Sequence, residues 1–141
     1  MQILVDTNVI VDYILKRGNF YECANKVLEL CQDGLADGAV SSQSVADAFY
    51  ILRKDFSVAE RKAFLLRICL IFQVEFVDKE KLVAALKDDT FSDFEDCLQM
   101  QCAKSFRADY IVTRNVKDFS ASEIPAVTPE DFCKIFTEGG D

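Results

Sequence analysis

The sequence predicts an α/β fold, a three-layer α/β/α sandwich in which helices cover both faces of a mostly parallel sheet of four or five strands. Two observations predict it. Short apolar segments with β-branched residues alternate along the chain with longer amphipathic segments, as in successive β–α–β units. The chain has 141 residues, 50% of them apolar, with only 5 Gly and 2 Pro. That length and composition fit one domain with a full hydrophobic core.

Strands are predicted where short apolar runs carry β-branched residues, and helices where apolar residues recur every three or four positions. The predicted strands are residues 2–5, 39–41, 74–77, 109–113 and 126–127. The first helix is predicted around Val9 to Ile14, and the later ones over 20–35, 42–54, 58–71, 79–87, 92–106 and 129–136. Thr128 and Pro129 are a typical helix start, with Thr at the cap and Pro at the first helical position.

The domain is predicted to cover residues 1–136, without a linker or an internal repeat, and to be followed by a flexible tail over 137–141. Near the middle of the chain, Ser92 and Glu95 have the spacing of a capping box, which predicts that Glu95 turns back to the Ser92 amide.

Composition excludes several function classes. The chain contains no His, which excludes an imidazole base and His-ligated zinc within it. Its 6 cysteines are scattered without a CxxC pair and are expected to be reduced thiols. No apolar run approaches the ~18 residues that cross a bilayer, and no basic leader precedes the first strand, so we expect a cytoplasmic protein without a membrane anchor.

The formal net charge is −8, which argues against a nucleic-acid-binding protein with a broad basic face. A cluster of acidic residues that binds a divalent metal would produce the same total, because the metal then reverses the local field. The positions of the acidic residues therefore matter more than their sum.

Asp6 follows the first strand directly, and the stretch from Thr113 to Asn115 follows the fourth. Ligands of open α/β sheets bind beyond the carboxyl ends of the strands, so these residues are candidates for the functional site. The alternative for Asp6 is an ordinary helix N-cap, and for Asn115 and the nearby Asp118 it is an ordinary turn.

Two further acids lie on helices. Asp47 lies at the edge of the apolar face of its helix, and the alternative is a capping box with Ser44. Asp96 lies in line with Met100 and Ala103, where an unpaired carboxylate is costly to desolvate. Asp93 lies one turn earlier, and it can also complement the helix dipole.

Taken together, these acids predict several carboxylates at one edge of the sheet. Clustered carboxylates repel one another unless a cation lies among them, and oxygen ligands select Mg²⁺ or Mn²⁺. Without His, the chemistry that such a site supports is attack on a phosphodiester by metal-activated water.

The same residues resemble the PIN domain family, which includes the VapC-type toxins of bacterial toxin–antitoxin pairs. The resemblance spans essentially the whole chain. It rests on VDTNV at 5–9, Asp47 within a helix, DFED at 93–96, ADYIVTRN at 108–115 with Asp118 and Phe119, and PAVTPEDF at 125–132.

The resemblance implies a Mg²⁺- or Mn²⁺-dependent endoribonuclease, commonly a homodimer, which in toxin members is blocked by a small antitoxin protein. It assigns Asp6, Asp47 and Asp96 as the catalytic acids. The implied metal ligands are Asp6, Asp96, Asp93, Asp118 and Asn115. Residues that orient these ligands or contact the RNA would be Thr7, Asn8, Thr113 and Arg114.

Two positions depart from the family pattern. Asp47 stands where Glu is usual and is one methylene shorter, and Asn115 is neutral where Asp is common. We therefore expect one firm metal site and a doubtful second one. Lys16, Arg17, Arg53 and Lys54 are further candidates for RNA contact, each with plain surface charge as the alternative.

Two other functions stay open. A PIN fold that has lost catalysis would serve as an RNA- or protein-interaction module, and both departures favour it. A phosphatase or phospho-acceptor domain would use Asp6 as its nucleophile. Such phosphatases carry a second Asp two residues later, where this chain has Asn8.

Overall fold

The computed structural model describes residues 1–139. Within them, five parallel strands form a single sheet in the order β3–β2–β1–β4–β5. The strands are β1 (Gln2–Val5), β2 (Asp37–Ser41), β3 (Gln73–Glu75), β4 (Tyr110–Val112) and β5 (Ala126–Val127). The α/β class and the parallel sheet predicted from the sequence are confirmed.

Seven α-helices are present in the described chain; six lie between strands and the last follows β5. They are α1 (Thr7–Leu15), α2 (Gly18–Gln32), α3 (Ser42–Ile51), α4 (Val58–Ile71), α5 (Lys79–Lys87), α6 (Phe94–Phe106) and α7 (Pro129–Gly139). Short 3₁₀ turns occupy Leu52–Lys54 and Val116–Phe119. None of the helices in residues 1–139 is both long and apolar enough to span a bilayer.

The central strand β1 supplies apolar side chains to both faces of the sheet. Ile3 and Val5 point into a core formed with α1, α2, α3, α4 and α7, whereas Leu4 points into a second core formed with α5 and α6. Successive side chains of a strand alternate between faces, so a continuous apolar run is what a strand covered on both sides requires. The three-layer arrangement follows from this alternation.

The start of α6 differs from the prediction. Its cap is Asp93 rather than Ser92, and Asp93 Oδ1 accepts a hydrogen bond from the backbone amide of Asp96 at 2.9 Å. An Asp at the cap bonds the amide three residues on, which moves the helix start to Phe94. The expected turn of Glu95 back to the Ser92 amide is therefore wrong.

The C-terminal helix also differs. The sequence predicts an end near Phe136 and a tail over 137–141, but α7 continues to Gly139. The Thr137 hydroxyl donates to the carbonyl of Cys133 at 2.8 Å, four residues back, which a helical turn allows. The last two residues of the predicted tail lie outside the described residues.

Candidate active site

The strand order places a topological switch point at the carboxyl end of β1. The chain runs from β1 through β2 to β3 on one side of the sheet, and β4 and β5 lie on the other. Connections on opposite sides leave a crevice at this point, where α/β sheets bind ligands. Asp6 follows β1 and Thr113 follows β4, so the two residues border this crevice.

Four hydrogen bonds hold the Asp6 carboxylate in place. Oδ1 accepts from the Thr7 amide at 2.8 Å and from Gln99 Nε2 at 2.7 Å. Oδ2 accepts from the Thr113 hydroxyl at 2.7 Å and from Asn8 Nδ2 at 3.4 Å. Asp6 is 7% exposed, and burial of a charged group at this depth requires such partners. The N-cap that the sequence left as an alternative is also present, because Asp6 caps α1 through the Thr7 amide.

A second group of buried polar residues adjoins Asp6. Ser41 ends β2 and caps α3 by accepting from the amide of Ser44. The Ser44 hydroxyl lies 2.7 Å from the Thr7 hydroxyl and accepts from Gln99 Nε2 at 2.8 Å. Side chains from β2, α3, α1 and α6 therefore meet in one hydrogen-bonded network beneath the crevice.

This network forms the floor of an open cleft of about 470 Å³. Of the residues predicted from the sequence, Asp6, Thr7, Asn8, Asp47, Asp96 and Asn115 line the cleft. It is also lined by residues that the sequence did not assign to the site, namely Val11, Gln43, Ser44, Tyr50, Ile51, Glu95 and Gln99, and by Arg17. Side chains from positions 6, 47, 96 and 115 thus reach a common space.

Asp96 is the most perturbed carboxyl in this cleft. Burial, followed by the negative charges of Asp93, Asp6, Asp118 and Glu95, raises its pKa to about 7. Asp93 lies in the preceding turn and caps the helix, and Asp118 belongs to the 3₁₀ turn after β4. Repulsion among these acids shows that they share one electrostatic environment, although Asp93 and Asp118 do not line the cleft itself.

Asp47 lies on α3 at the side of the cleft. Its Oδ1 accepts a hydrogen bond from Gln43 Nε2 at 2.9 Å, one helical turn away. The capping box with Ser44 is absent, because Ser41 is the cap of α3. The carboxylate is therefore half-buried beside the cleft and has one polar partner within its own helix.

Arg114 is directed toward another acid. Its guanidinium pairs with Asp12, which is 1% exposed, through Nη2 at 3.2 Å and through Nε. It also lies over the ring of Phe20, with 4.3 Å from Cζ to the ring centre. The arginine that reaches the cleft is Arg17, which lies 3.4 Å from the same Asp12. Nothing in the sequence marked Asp12 as buried, because it occupies a polar position beside the apolar stripe of α1.

Gln99 and Ser44 are the main site residues that sequence analysis missed. Gln99 lies three and four residues before the buried Cys102 and Ala103, and Ser44 lies four residues before the buried Ala48, so both occupy the apolar faces of their helices. Their partners lie 93 and 37 residues away in the chain, at Asp6 and Thr7. The available signal was therefore a polar residue at an apolar position of the helical repeat, although the sequence does not show which partner such a residue bonds.

The donor set fits a hard divalent cation held by few protein ligands. In residues 1–139, no three acidic or thiol side chains converge on a common metal position. Mg²⁺ nevertheless commonly takes only one or two carboxylates and keeps several waters. Asp6 and Asp96 supply two carboxylates in one cleft. Burial first, and then the surrounding acids, raise the pKa of Asp96 to about 7, and a cation beside it would favour its ionised form.

Comparison with known proteins gives matches over nearly the whole chain. The sequence profile of the PIN domain matches residues 2–117. Ribonuclease VapC1 of Aquifex aeolicus is 27% identical over 139 residues, which cover 94% of each protein.

Solved structures show the same fold. VapC20 of Mycobacterium tuberculosis, a Sarcin-Ricin loop cleaving toxin, superposes with a TM-score of 0.71 at 16% identity, over 90% of this chain and 99% of that one. VapBC2 of Rickettsia felis, bound to a DNA fragment from its promoter, gives a TM-score of 0.66 at 19% identity, over 91% and 98%. The order of motifs along the chain, the switch-point crevice and the profile match agree: this chain belongs to the PIN domain family.

Proposed function

We propose that this protein is a divalent-metal-dependent endoribonuclease that hydrolyses phosphodiester bonds of RNA and acts as a toxin. The observation that carries the proposal is that Asp6 and Asp96 line one cleft at the switch point, where Asp47, Glu95 and Asn115 supply further side-chain oxygens. The similarity to a ribonuclease that is matched over 94% of its length supports RNA as the substrate.

Asp6 and Asp96 are the proposed direct ligands of Mg²⁺ or Mn²⁺. Asp47, Asp93, Asn115 and Asp118 would act from further away, by holding waters of the ion or by adding to the negative field. When bound, such an ion lowers the pKa of a coordinated water and neutralises charge on the phosphate. The four hydrogen bonds that Asp6 accepts limit the rotation of its carboxylate. They also occupy its lone pairs, so a bound ion would replace one of them, and the 3.4 Å bond from Asn8 Nδ2 is the longest.

The RNA backbone is expected to lie along the polar wall of the cleft. Arg17 is the only cationic residue among the described residues that line the cleft, together with the acids Asp6, Asp47, Glu95 and Asp96. Its guanidinium is suited to a phosphate, and its ion pair with Asp12 limits its range of orientations. Thr7 and Asn8, at the start of α1, would contact the scissile phosphate. Arg114 would have an indirect role, because it lies between Thr113 and Asn115 and would help to hold this end of the strand in place.

The proposed partners are RNA and a small antitoxin protein that blocks the cleft. Toxin–antitoxin complexes are among the structures that share this fold, including one from Klebsiella pneumoniae with a TM-score of 0.64 at 23% identity. A homodimer in the cytoplasm is part of the same proposal. Co-expression with the product of an adjacent small reading frame tests for an antitoxin. Expression of this protein alone should arrest growth, and co-expression should remove the arrest.

Cleavage of RNA by the purified protein tests the central proposal. We expect cleavage of a structured RNA in Mn²⁺ or Mg²⁺, none in EDTA, and at least a ~100-fold lower rate for Asp6→Asn and Asp96→Asn, in the range expected for loss of a group that acts in the transition state. Asp33→Asn removes one exposed carboxylate outside the cleft and is the matched control. If Asp96→Asn cleaves at the rate of the parent, this site assignment is wrong.

The alternative function is a PIN-fold interaction module without catalysis. In residues 1–139, no three acidic side chains converge on one metal position, which favours this alternative. The short Asp47 and the neutral Asn115 favour it as well. Titration with Mn²⁺ separates the two. No binding at millimolar Mn²⁺, together with retained binding of RNA, would establish the module.

A further inference from the structure

Gln99 connects three elements beneath the cleft. It lies on α6, three residues after Asp96, and its two amide hydrogens bond Asp6 Oδ1 at 2.7 Å and Ser44 Oγ at 2.8 Å. One side chain thus joins the carboxylate after β1 to the first turn of α3. Its position on α6 also ties the orientation of Asp6 to the helix that carries Asp96.

The carbonyl oxygen of the same amide has no hydrogen-bond partner. Gln99 is 6% exposed, and its Oε1 is the one buried side-chain nitrogen or oxygen atom of the described residues that is unpaired. A buried acceptor without a partner costs folding free energy. An apolar side chain of similar length would fill the same space without that cost, so packing alone does not explain a glutamine here.

The orientation of the amide is determined by its neighbours. Turning it over would place Oε1 against the Asp6 carboxylate and bring two acceptors together. The Ser44 oxygen also accepts a hydrogen bond from the Ser41 hydroxyl at 3.1 Å. Together with the bond from Gln99, this uses both lone pairs of the Ser44 oxygen, so the Ser44 hydroxyl donates its own hydrogen to Thr7. Gln99 therefore faces an acceptor at both of its amide hydrogens.

We propose that Gln99 is a positioning residue of the metal site, which holds Asp6 in the orientation that binds the ion. Ser44 supports it by fixing the second amide hydrogen. This inference rests on the proposed function and adds a residue to its site. It predicts that Gln99 matters for metal affinity and much less for folding.

The affinity for Mn²⁺ alone tests the proposal. Calorimetric or EPR titration of Gln99→Met should give a dissociation constant about 10-fold higher than that of the parent, the typical effect of removing a hydrogen-bond partner from a metal ligand. The midpoint of thermal unfolding in EDTA should stay within a few degrees of the parent. Gln101→Met, on the same helix but outside the cleft lining, is the matched control and should bind Mn²⁺ as the parent does.

Ser44→Ala provides a second variant if Gln99→Met does not fold. It should weaken Mn²⁺ binding in the same direction by a smaller factor. In the double variant the two effects on the dissociation constant should not multiply, since both act through the one amide. Multiplicative effects, or an unchanged Mn²⁺ affinity of Gln99→Met or Ser44→Ala, would overturn the proposal.

The outcomes also separate this inference from the proposed function. A parent that binds Mn²⁺ and cleaves RNA, with a Gln99→Met variant that binds Mn²⁺ equally well, refutes the role of Gln99 alone. A parent that neither binds Mn²⁺ nor cleaves RNA refutes both.

Discussion

The hydroxyl of Thr113 donates a 2.7 Å hydrogen bond to Asp6 Oδ2 across the switch point of the sheet. The same hydroxyl oxygen accepts from Asn8 Nδ2 at 3.2 Å and from the Asn115 amide at 3.1 Å. Thr113 is fully buried, so these contacts are made in the absence of bulk water. The pair joins the ends of β1 and β4, which are 107 residues apart in sequence.

Replacing Thr113 with Val removes this hydroxyl and keeps the shape of the side chain. We expect a loss of about 1–3 kcal/mol in the free energy of unfolding, because several polar groups lose a partner while buried. Urea denaturation of the metal-free protein measures it. Thr128→Val, which removes a hydroxyl from the exposed cap bond to the Asp131 amide, should cost less. An equal loss for both variants would contradict the conclusion that the buried hydroxyl of Thr113 contributes more to stability than an exposed helix cap does.

Stability should fall as pH rises through the range in which Asp96 ionises. Burial first, and then Asp93, Asp6 and Asp118, raise the folded-state pKa of this carboxyl from 3.8 to about 7. The folded state therefore binds more protons than the unfolded state between about pH 4 and 7, and stability decreases across that window. Above pH 7 the loss in the free energy of unfolding is complete, on the order of 1–2 kcal/mol after allowance for solvent screening.

Asp96→Asn should lack most of this pH dependence. In EDTA, the parent and Asp96→Asn can be compared by urea denaturation at pH 5 and pH 8. We expect the variant to be the more stable of the two at pH 8. The same decrease from pH 5 to pH 8 in both proteins would show that Asp96 is not the group responsible.

Lengthening Asp47 to Glu tests whether its reach limits the site. The change keeps the charge and adds one methylene at a half-buried position that lines the cleft. We expect two- to ten-fold tighter Mn²⁺ binding, or ~0.4–1.4 kcal/mol, as the longer carboxylate approaches the ion. Calorimetric titration measures this, and Asp47→Asn should shift the affinity in the opposite direction. Weaker binding by Asp47→Glu would indicate that the carboxylate already lies at its working distance.

Arg17→Ala should weaken RNA binding more than it slows cleavage at saturating RNA. A lost phosphate contact raises KM, and it lowers the magnitude of the slope of log affinity against log salt by about one. Fluorescence anisotropy of a labelled RNA, measured in the cleavage-deficient Asp6→Asn background, gives the affinity and its salt slope, and cleavage assays in the active protein give KM and the rate at saturating RNA. Arg67→Ala, an exposed arginine on α4 outside the cleft, is the control and should leave the slope unchanged.

Local sequence determined the elements and one part of the site. Apolar runs with β-branched residues marked all five strands, and the turn at Asp6, Thr7 and Asn8 was recognisable because it separates a buried strand from a helix. Strand ends at one edge of a parallel sheet must lie close together. The sequence alone could therefore predict that residues after β1 and β4 share a site.

The tertiary structure decided which polar side chains complete that site. Gln99 and Ser44 lie on the buried faces of their helices, but only the fold shows that they bond Asp6 and Thr7 there. Arg114, beside a strand end, pairs with the buried Asp12 rather than reaching the cleft. Hydrophobic periodicity reports which face of a helix is buried, because burial of apolar area dominates folding. It does not report hydrogen bonds between helices distant in sequence, since these depend on a few tenths of an ångström in how the helices pack.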